Sequence, residues 1–188
     1  MRTQGLDLSA NYVLPFDERY GKTTIGAVAN VIINYELSTG TGRPYYDYTG
    51  TWTPLSGLIP DYNLTFSLTY EYREWTAALM AHYLPGVSDP GGLFPEYDLG
   101  EQGFTINNPT APYRVPSYYT LDFQVSYEFG KGKTEGRKWY DGTKLSVGML
   151  NFTDEKPPLI ADAVEDNTDK NNYDILGRFL YFEMSKKF

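Results

Sequence analysis

Hydrophobic and polar residues alternate one by one through much of this chain, the period of a strand whose two faces meet different surroundings. From Gly5 to Leu14 the residues Leu6, Leu8, Ala10, Tyr12 and Leu14 share one face, and Asp7, Ser9 and Asn11 the other. Thr24 to Leu37 sets Ile25, Ala27, Ala29, Val31, Ile33, Tyr35 and Leu37 against Thr24, Gly26, Asn30, Asn34 and Glu36. Asn63 to Arg73 is the cleanest run, with Leu64, Phe66, Leu68, Tyr70 and Tyr72 opposite a wholly polar face. Trp75 to Tyr83 follows, its second face less polar because of Ala78 and Met80, and Tyr119 to Phe129 is again one-sided. A sixth run carries Leu145, Val147 and Met149; its phase blurs at Leu150-Asn151-Phe152, where a bulge or a strand end is expected. In the last run Leu176, Leu180, Phe182, Met184 and Phe188 oppose Gly177, Tyr181, Glu183, Ser185 and Lys187.

The connections alternate too. Short turns are expected at Pro15 to Gly21, Arg73-Glu74 and Gly130 to Gly142, and long ones at Ser38 to Pro60, Pro85 to Pro116 and Asp154 to Asn172. Tight turns on one side and long loops on the other is the asymmetry of an outer-membrane barrel. Aromatic residues bracket the short turns, as an interfacial girdle does, although tyrosine is also simply a good strand residue. A half-buried sheet in a soluble sandwich would alternate equally well, so strand length and loop asymmetry decide. A membrane strand needs about 9–11 residues, and most runs meet that. The expected fold is all-β: an antiparallel up-and-down meander of about seven to eight long strands, forming part of a transmembrane β-barrel.

Closure adds a constraint. Bacterial single-chain barrels have an even strand number from about eight upward, so seven strands need neighbours. A small complete barrel would require an eighth strand, for which Tyr97 to Ile106 is the available stretch. Met1-Arg2-Thr3-Gln4 runs straight into alternation without the apolar segment of a secretory signal. Residues 1–188 are therefore expected to be one part of a larger barrel, its export signal lying upstream.

Composition narrows the function classes. A net charge of -8 disfavours a phosphate-backbone partner, and the densest basic stretch, Lys131 to Lys138, is interrupted by Glu135, so no nucleic acid is expected. The absence of cysteine removes thiolate metal sites and thiol nucleophiles. The lone His82 provides no His pair for zinc and is expected to line the polar interior. The acidic stretch Asp162, Glu165, Asp166, Asp169 lacks the spacing and glycine of a calcium loop and is expected to be solvated. No enzyme activity, cofactor or metal is expected.

Binding chemistry, by contrast, is available in the long loops. Tyr45, Tyr46, Tyr48 and Trp52 lie in one, and Phe94, Tyr97, Phe104 and Tyr113 in another. Such rings stack on flat ligands or sugars, or pack the loops together, and both roles stay open. A soluble all-β carbohydrate-binding module would use the same aromatics and is the competing reading.

Three segments resemble the C-terminal barrel region of TonB-dependent outer-membrane receptors: Arg114 to Phe129, Leu145 to Pro158 with Asn151, Asp154, Pro157 and Pro158, and Tyr173 to Phe188. Gly177, Leu180, Phe182 and Phe188 are similar to the C-terminal signal that outer-membrane assembly machinery reads. The resemblance implies the last third of a barrel of twenty-two strands in a Gram-negative outer membrane, bathed in lipid and enclosing an N-terminal plug. It implies uptake of a scarce ligand such as a siderophore, cobalamin or an oligosaccharide, energised by TonB. The plug and the TonB-contacting segment have no counterpart in these residues, so the segment is not expected to transport alone.

Overall fold

A computed structural model of the chain describes residues 1–38, 40–54, 56–89, 113–132, 138–160, 163 and 166–187. Seven long strands follow one another in space as in sequence: β1 (Arg2–Val13), β2 (Lys22–Leu37), β6 (Tyr62–Tyr72), β7 (Trp75–Leu84), β10 (Tyr118–Glu128), β11 (Thr143–Leu150) and β12 (Phe179–Lys186). Each ladder between them is antiparallel. The expected meander is the fold. Short strands fill the longer connections: β3 (Tyr46–Asp47), β4 (Thr51–Thr53), β5 (Gly57–Ile59), β8 (Val87–Asp89) and β9 (Tyr113–Val115). The only other regular element among the described residues is one turn of 3-10 helix at Glu18–Tyr20, so no described helix is long and apolar enough to cross a membrane.

Register turns the alternation into two opposite surfaces. One row runs Tyr12, Ile25, Leu68, Leu79, Phe123, Met149, Leu180 across all seven strands. The next runs Tyr70, Ala77, Val125, Val147, Phe182, and the one beyond it Tyr72, Trp75, Tyr127, Leu145, Met184. In the other direction lie Ala10, Ala27, Phe66, Ala81, Leu121 and then Leu8, Ala29, Leu64, Tyr83, Tyr119. No residue of these five rows is charged. Phe66 is 49% exposed and Phe182 is 70% exposed, so this face is uncovered rather than packed against a second layer. Tyr62 to Tyr72 is ten steps of about 3.4 Å, and at a tilt of about 40° that length crosses about 26 Å, the height of a barrel's apolar band.

Two expectations change, and of the two alternatives at Leu150-Asn151-Phe152 the strand end is the one found. The alternation of β2 is interrupted by a bulge: Gly5 pairs with Ile32 but Gln4 pairs with Asn34, leaving Ile33 as the extra residue. Gly5 permits it, because a Cβ there would lie 2.6 Å from the Val31 carbonyl oxygen. At Leu150-Asn151-Phe152 the strand ends, with Asn151 at φ 46°. The final strand begins at Phe179, later than Leu176, since Gly177 takes a φ of 70° that extended backbone does not.

A second sheet, ordered β5-β4-β8-β9, was not legible in the sequence. Its β8–β9 pair continues the β7–β10 ladder: Leu84 faces Tyr118, and three residues on, Val87 faces Val115 in the same register. Pro85-Gly86 and Pro116-Ser117 interrupt that ladder, because proline has no N–H to donate. Gly86 fits the bend because a Cβ there would lie 2.6 Å from the Val115 carbonyl oxygen. β4 then adds alongside β8 in parallel, pairing Thr51 with Ser88. Trp52, Leu58, Val87, Val115, Tyr118, Ile160, Ala163 and Tyr173 form the buried core under this sheet. The hydrophobic core of the described chain thus lies at the long-loop end, while the apolar rows of the long strands stay open.

Candidate functional site

The surface opposite the apolar rows is mainly polar, with Val28 and Met80 set among its hydrogen-bonding residues. Asp7, Asn30 and Asn63 form one row, in which the Asn30 amide donates to Asp7 Oδ1 at 2.6 Å. The next row is Ser9, Val28, Thr65, His82, Thr120, and the one beyond is Asn11, Gly26, Ser67, Met80, Asp122. Gly26 keeps the wall low here, since a Cβ would meet the side chains of both Ser67 and Asn11.

His82 lies on this wall, as its phase requires. Its Nδ1 is 3.3 Å from Thr65 Oγ1, and its Nε2 is 3.4 Å from Asp122 Oδ2. Asp122 Oδ1 accepts the backbone N–H of Asn151 at 2.7 Å, which ties the wall to the end of β11. Asn151 is fully buried and spends its amide on the turn: Nδ2 donates to the Glu155 carbonyl and Oδ1 accepts the Glu155 N–H, both at 2.9 Å. The arrangement orients a hydrogen-bonding surface. No group of three metal-ligating side chains occurs among the described residues.

Above His82 the last long loop overhangs the wall. Thr65, His82 and Thr120 from the strands and Asn171, Asn172 and Asp174 from the loop enclose an open cavity of about 390 Å³. Its lining holds amides, hydroxyls, an imidazole and one carboxylate beside the apolar Leu64 and Leu84, with no Lys or Arg among the described residues. The loop is held there by Asp169. This carboxylate is 6% exposed; Oδ2 accepts the Leu58 N–H at 2.9 Å and the Asn172 amide at 3.2 Å, and Oδ1 accepts the Asn171 N–H at 3.0 Å. The expectation of a solvated acidic loop fails at Asp169, because a carboxylate that satisfies backbone donors is stable when buried. Asp166 is exposed and pairs with Lys170 at 2.5 Å, whereas Asp162 and Glu165 lie outside the described residues.

The loop aromatics divide. Tyr48 is 3% exposed and Trp52 4%, so both pack the loop layer. Tyr45 is 41% exposed, with the Arg2 guanidinium 4.0 Å over its ring, and Tyr46 pairs with Leu37 at the tip of β2. Asp47 fixes that corner: burial raises its pKa, but the hydroxyl and N–H of Thr49 and the N–H of Tyr35 outweigh this and hold it low. Phe94 and Tyr97, with the stretch to Ile106, lie outside the described residues. At the C-terminal end, Leu180 and Phe182 are 63% and 70% exposed on the apolar face, Gly177 precedes the strand, and Phe188 lies outside the described residues. Thr120, Asn171, Asn172 and Asp174 carried no motif. They meet only through strand register and loop folding, which sequence spacing does not encode.

Comparison with known proteins agrees with the architecture. A family model described as TonB dependent receptor-like, beta-barrel, matches residues 1–152. No curated protein and no solved structure matches the chain. The match takes in the early strands, which had shown pattern but no motif, and stops before the last loop and β12. That strand nonetheless continues the sheet through eight paired positions on β11. Its matched length and its two-faced meander place the chain in the TonB-dependent receptor-like β-barrel family, whose members are outer-membrane receptors.

Proposed function

We propose that residues 1–188 form part of the wall of an outer-membrane receptor that imports a scarce ligand with energy delivered by TonB. Five uncharged cross-strand rows on one face, backed by polar rows on the other, carry this reading. A sheet with an uncovered apolar face is stable in lipid, and its backbone is satisfied there only when neighbouring strands complete the ring. The plug, the TonB-contacting segment and the remaining strands belong to the rest of such a receptor. Gly177, Leu180, Phe182 and Phe188 serve as its assembly signal. A soluble carbohydrate-binding sandwich would bury these rows under a second sheet, and the four-stranded sheet instead packs its own core at the loop end.

Of the ligand classes that suit such a receptor, an oligosaccharide fits the inner wall better than an anionic iron chelate. The cavity beneath the last loop offers amides, hydroxyls and one carboxylate, with no cation among the described residues, so an anionic ligand would leave its charge unpaired there. Tyr45 and Tyr46, with Phe94 and Tyr97, are the loop aromatics assigned to stacking on sugar rings. Uptake of a labelled oligosaccharide by cells carrying the intact receptor tests this. Thr120→Val with Asn172→Ala is expected to lower uptake at least tenfold, from two lost hydrogen bonds of about 1 kcal/mol each. Unchanged uptake at normal surface expression contradicts the ligand assignment.

A further inference from the structure

The short-turn end of the apolar face carries a feature that ligand uptake does not require. Trp75 meets Tyr127 edge to face with centroids 4.9 Å apart, Tyr127 meets Phe129 at 4.8 Å, Phe129 meets Tyr140 at 5.7 Å, and Tyr140 meets Trp139 at 5.6 Å. Five rings form one arc that leaves the apolar row Tyr72, Trp75, Tyr127, Leu145, Met184 and ends at the third turn. Two ammonium groups flank the far end of it. Lys186 Nζ stands 5.9 Å from the Trp139 ring and donates to the Trp139 carbonyl, and Lys138 Nζ stands 5.6 Å from the Tyr140 ring. Lys186 follows Met184 by two residues on the same face of β12, so it continues the lipid-facing row. Trp139 is 85% exposed, the largest exposure of any ring among the described residues. The adjacent acid, Asp141, is 8% exposed and accepts the Lys138 N–H at 2.8 Å, so it is engaged in the turn.

We propose that Lys138 and Lys186, on either side of the Trp139–Tyr140 ring pair, bind the phosphodiester of a net-anionic phospholipid at the short-turn rim of the barrel. The inference rests on the membrane-spanning reading above. An apolar band ending in amphipathic rings sets the depth of the acyl–headgroup boundary, and ammonium groups immediately beyond it sit where phosphates lie. The patch is cationic in a chain whose net charge is -8, so its charge is local and complementary to that headgroup. The indole N–H and two ammonium groups supply donors, and a phosphodiester supplies only acceptors.

The intact receptor is placed in nanodiscs of phosphatidylcholine mixed with phosphatidylglycerol, and retained lipids are counted by native mass spectrometry. The wild-type protein is expected to retain phosphatidylglycerol in preference to phosphatidylcholine. Each lysine near a charged surface contributes about fivefold, so K138Q/K186Q is expected to lose most of that preference while K138R/K186R keeps it. Equal retention by the glutamine variant, or displacement of the lipid by millimolar inorganic phosphate, overturns the site. Entry into the disc without any lipid preference sinks this proposal alone. Failure to enter the disc sinks the barrel reading and the lipid site with it.

Discussion

The phenol ring of Tyr181 covers the position that a side chain at Gly148 would occupy. The two residues are direct cross-strand partners between β11 and β12, on the polar face, and a Cβ at Gly148 would fall within contact of three atoms of that ring. A glycine inside a strand costs backbone entropy and leaves a gap in the pleat, and an aromatic partner laid across it recovers packing. Gln124, on the other side of Gly148, extends this row to β10.

Gly148→Ala is therefore expected to destabilise the sheet by about 1–3 kcal/mol, the usual cost of forcing extra volume into a filled space. Tyr181→Ala should also destabilise it, and the double variant should be more stable than the sum of the two losses implies. Denaturant midpoints of the intact receptor in detergent measure all three. Strict additivity would show that the ring and the glycine do not depend on each other.

In the core at the long-loop end Tyr173 gives a pH-dependent expectation. Its ring is 3% exposed and meets Tyr118 edge to face at 5.2 Å, while its hydroxyl is buried with no hydrogen-bond partner among the described residues. Burial first, then the Asp169 carboxylate and Tyr118, push this phenol well above its ordinary value near 10. A raised folded-state pKa means that the stabilisation is complete below about pH 10 and is lost as pH climbs toward the folded value. Amide exchange at Leu58, Val87 and Val115 should accelerate over that range, and Tyr173→Phe should lessen the acceleration. Because an unpaired buried hydroxyl costs about 1 kcal/mol or more, the same variant should slow exchange at neutral pH about fivefold. A loss of protection in Tyr173→Phe at pH 7 would show that the hydroxyl is hydrogen-bonded.

The long strands were legible because a period of two is imposed at every residue when one face meets lipid and the other meets water. Leu64 to Tyr72 shows this most clearly, and its five apolar positions reappear as members of the five rows. The small sheet left no comparable trace: β4, β5, β8 and β9 have three residues each, too few for a period to register. Trp52 and Asp169 belong to that layer, and their sequence neighbours carry no sign of the buried core they share. The bulge at Ile33 escaped for a different reason. Ile32 and Ile33 are both apolar, so inserting one of them leaves the hydrophobic pattern readable as unbroken.

Lipid exposure of one face and water exposure of the other is the claim on which the receptor reading depends, and residues 1–188 hold no native cysteine to compete with a label placed on this wall. Single cysteines at Leu64, Thr65, Phe66, Ser67, Leu68 and Thr69 of the intact receptor in lipid vesicles would carry nitroxides. Their relaxation by oxygen, which concentrates in lipid, is compared with relaxation by a water-soluble nickel chelate. Positions 64, 66 and 68 should respond to oxygen, and positions 65, 67 and 69 to the chelate. Shielding of the even positions from both agents would show those side chains covered by protein, and the β-barrel wall described here would be wrong.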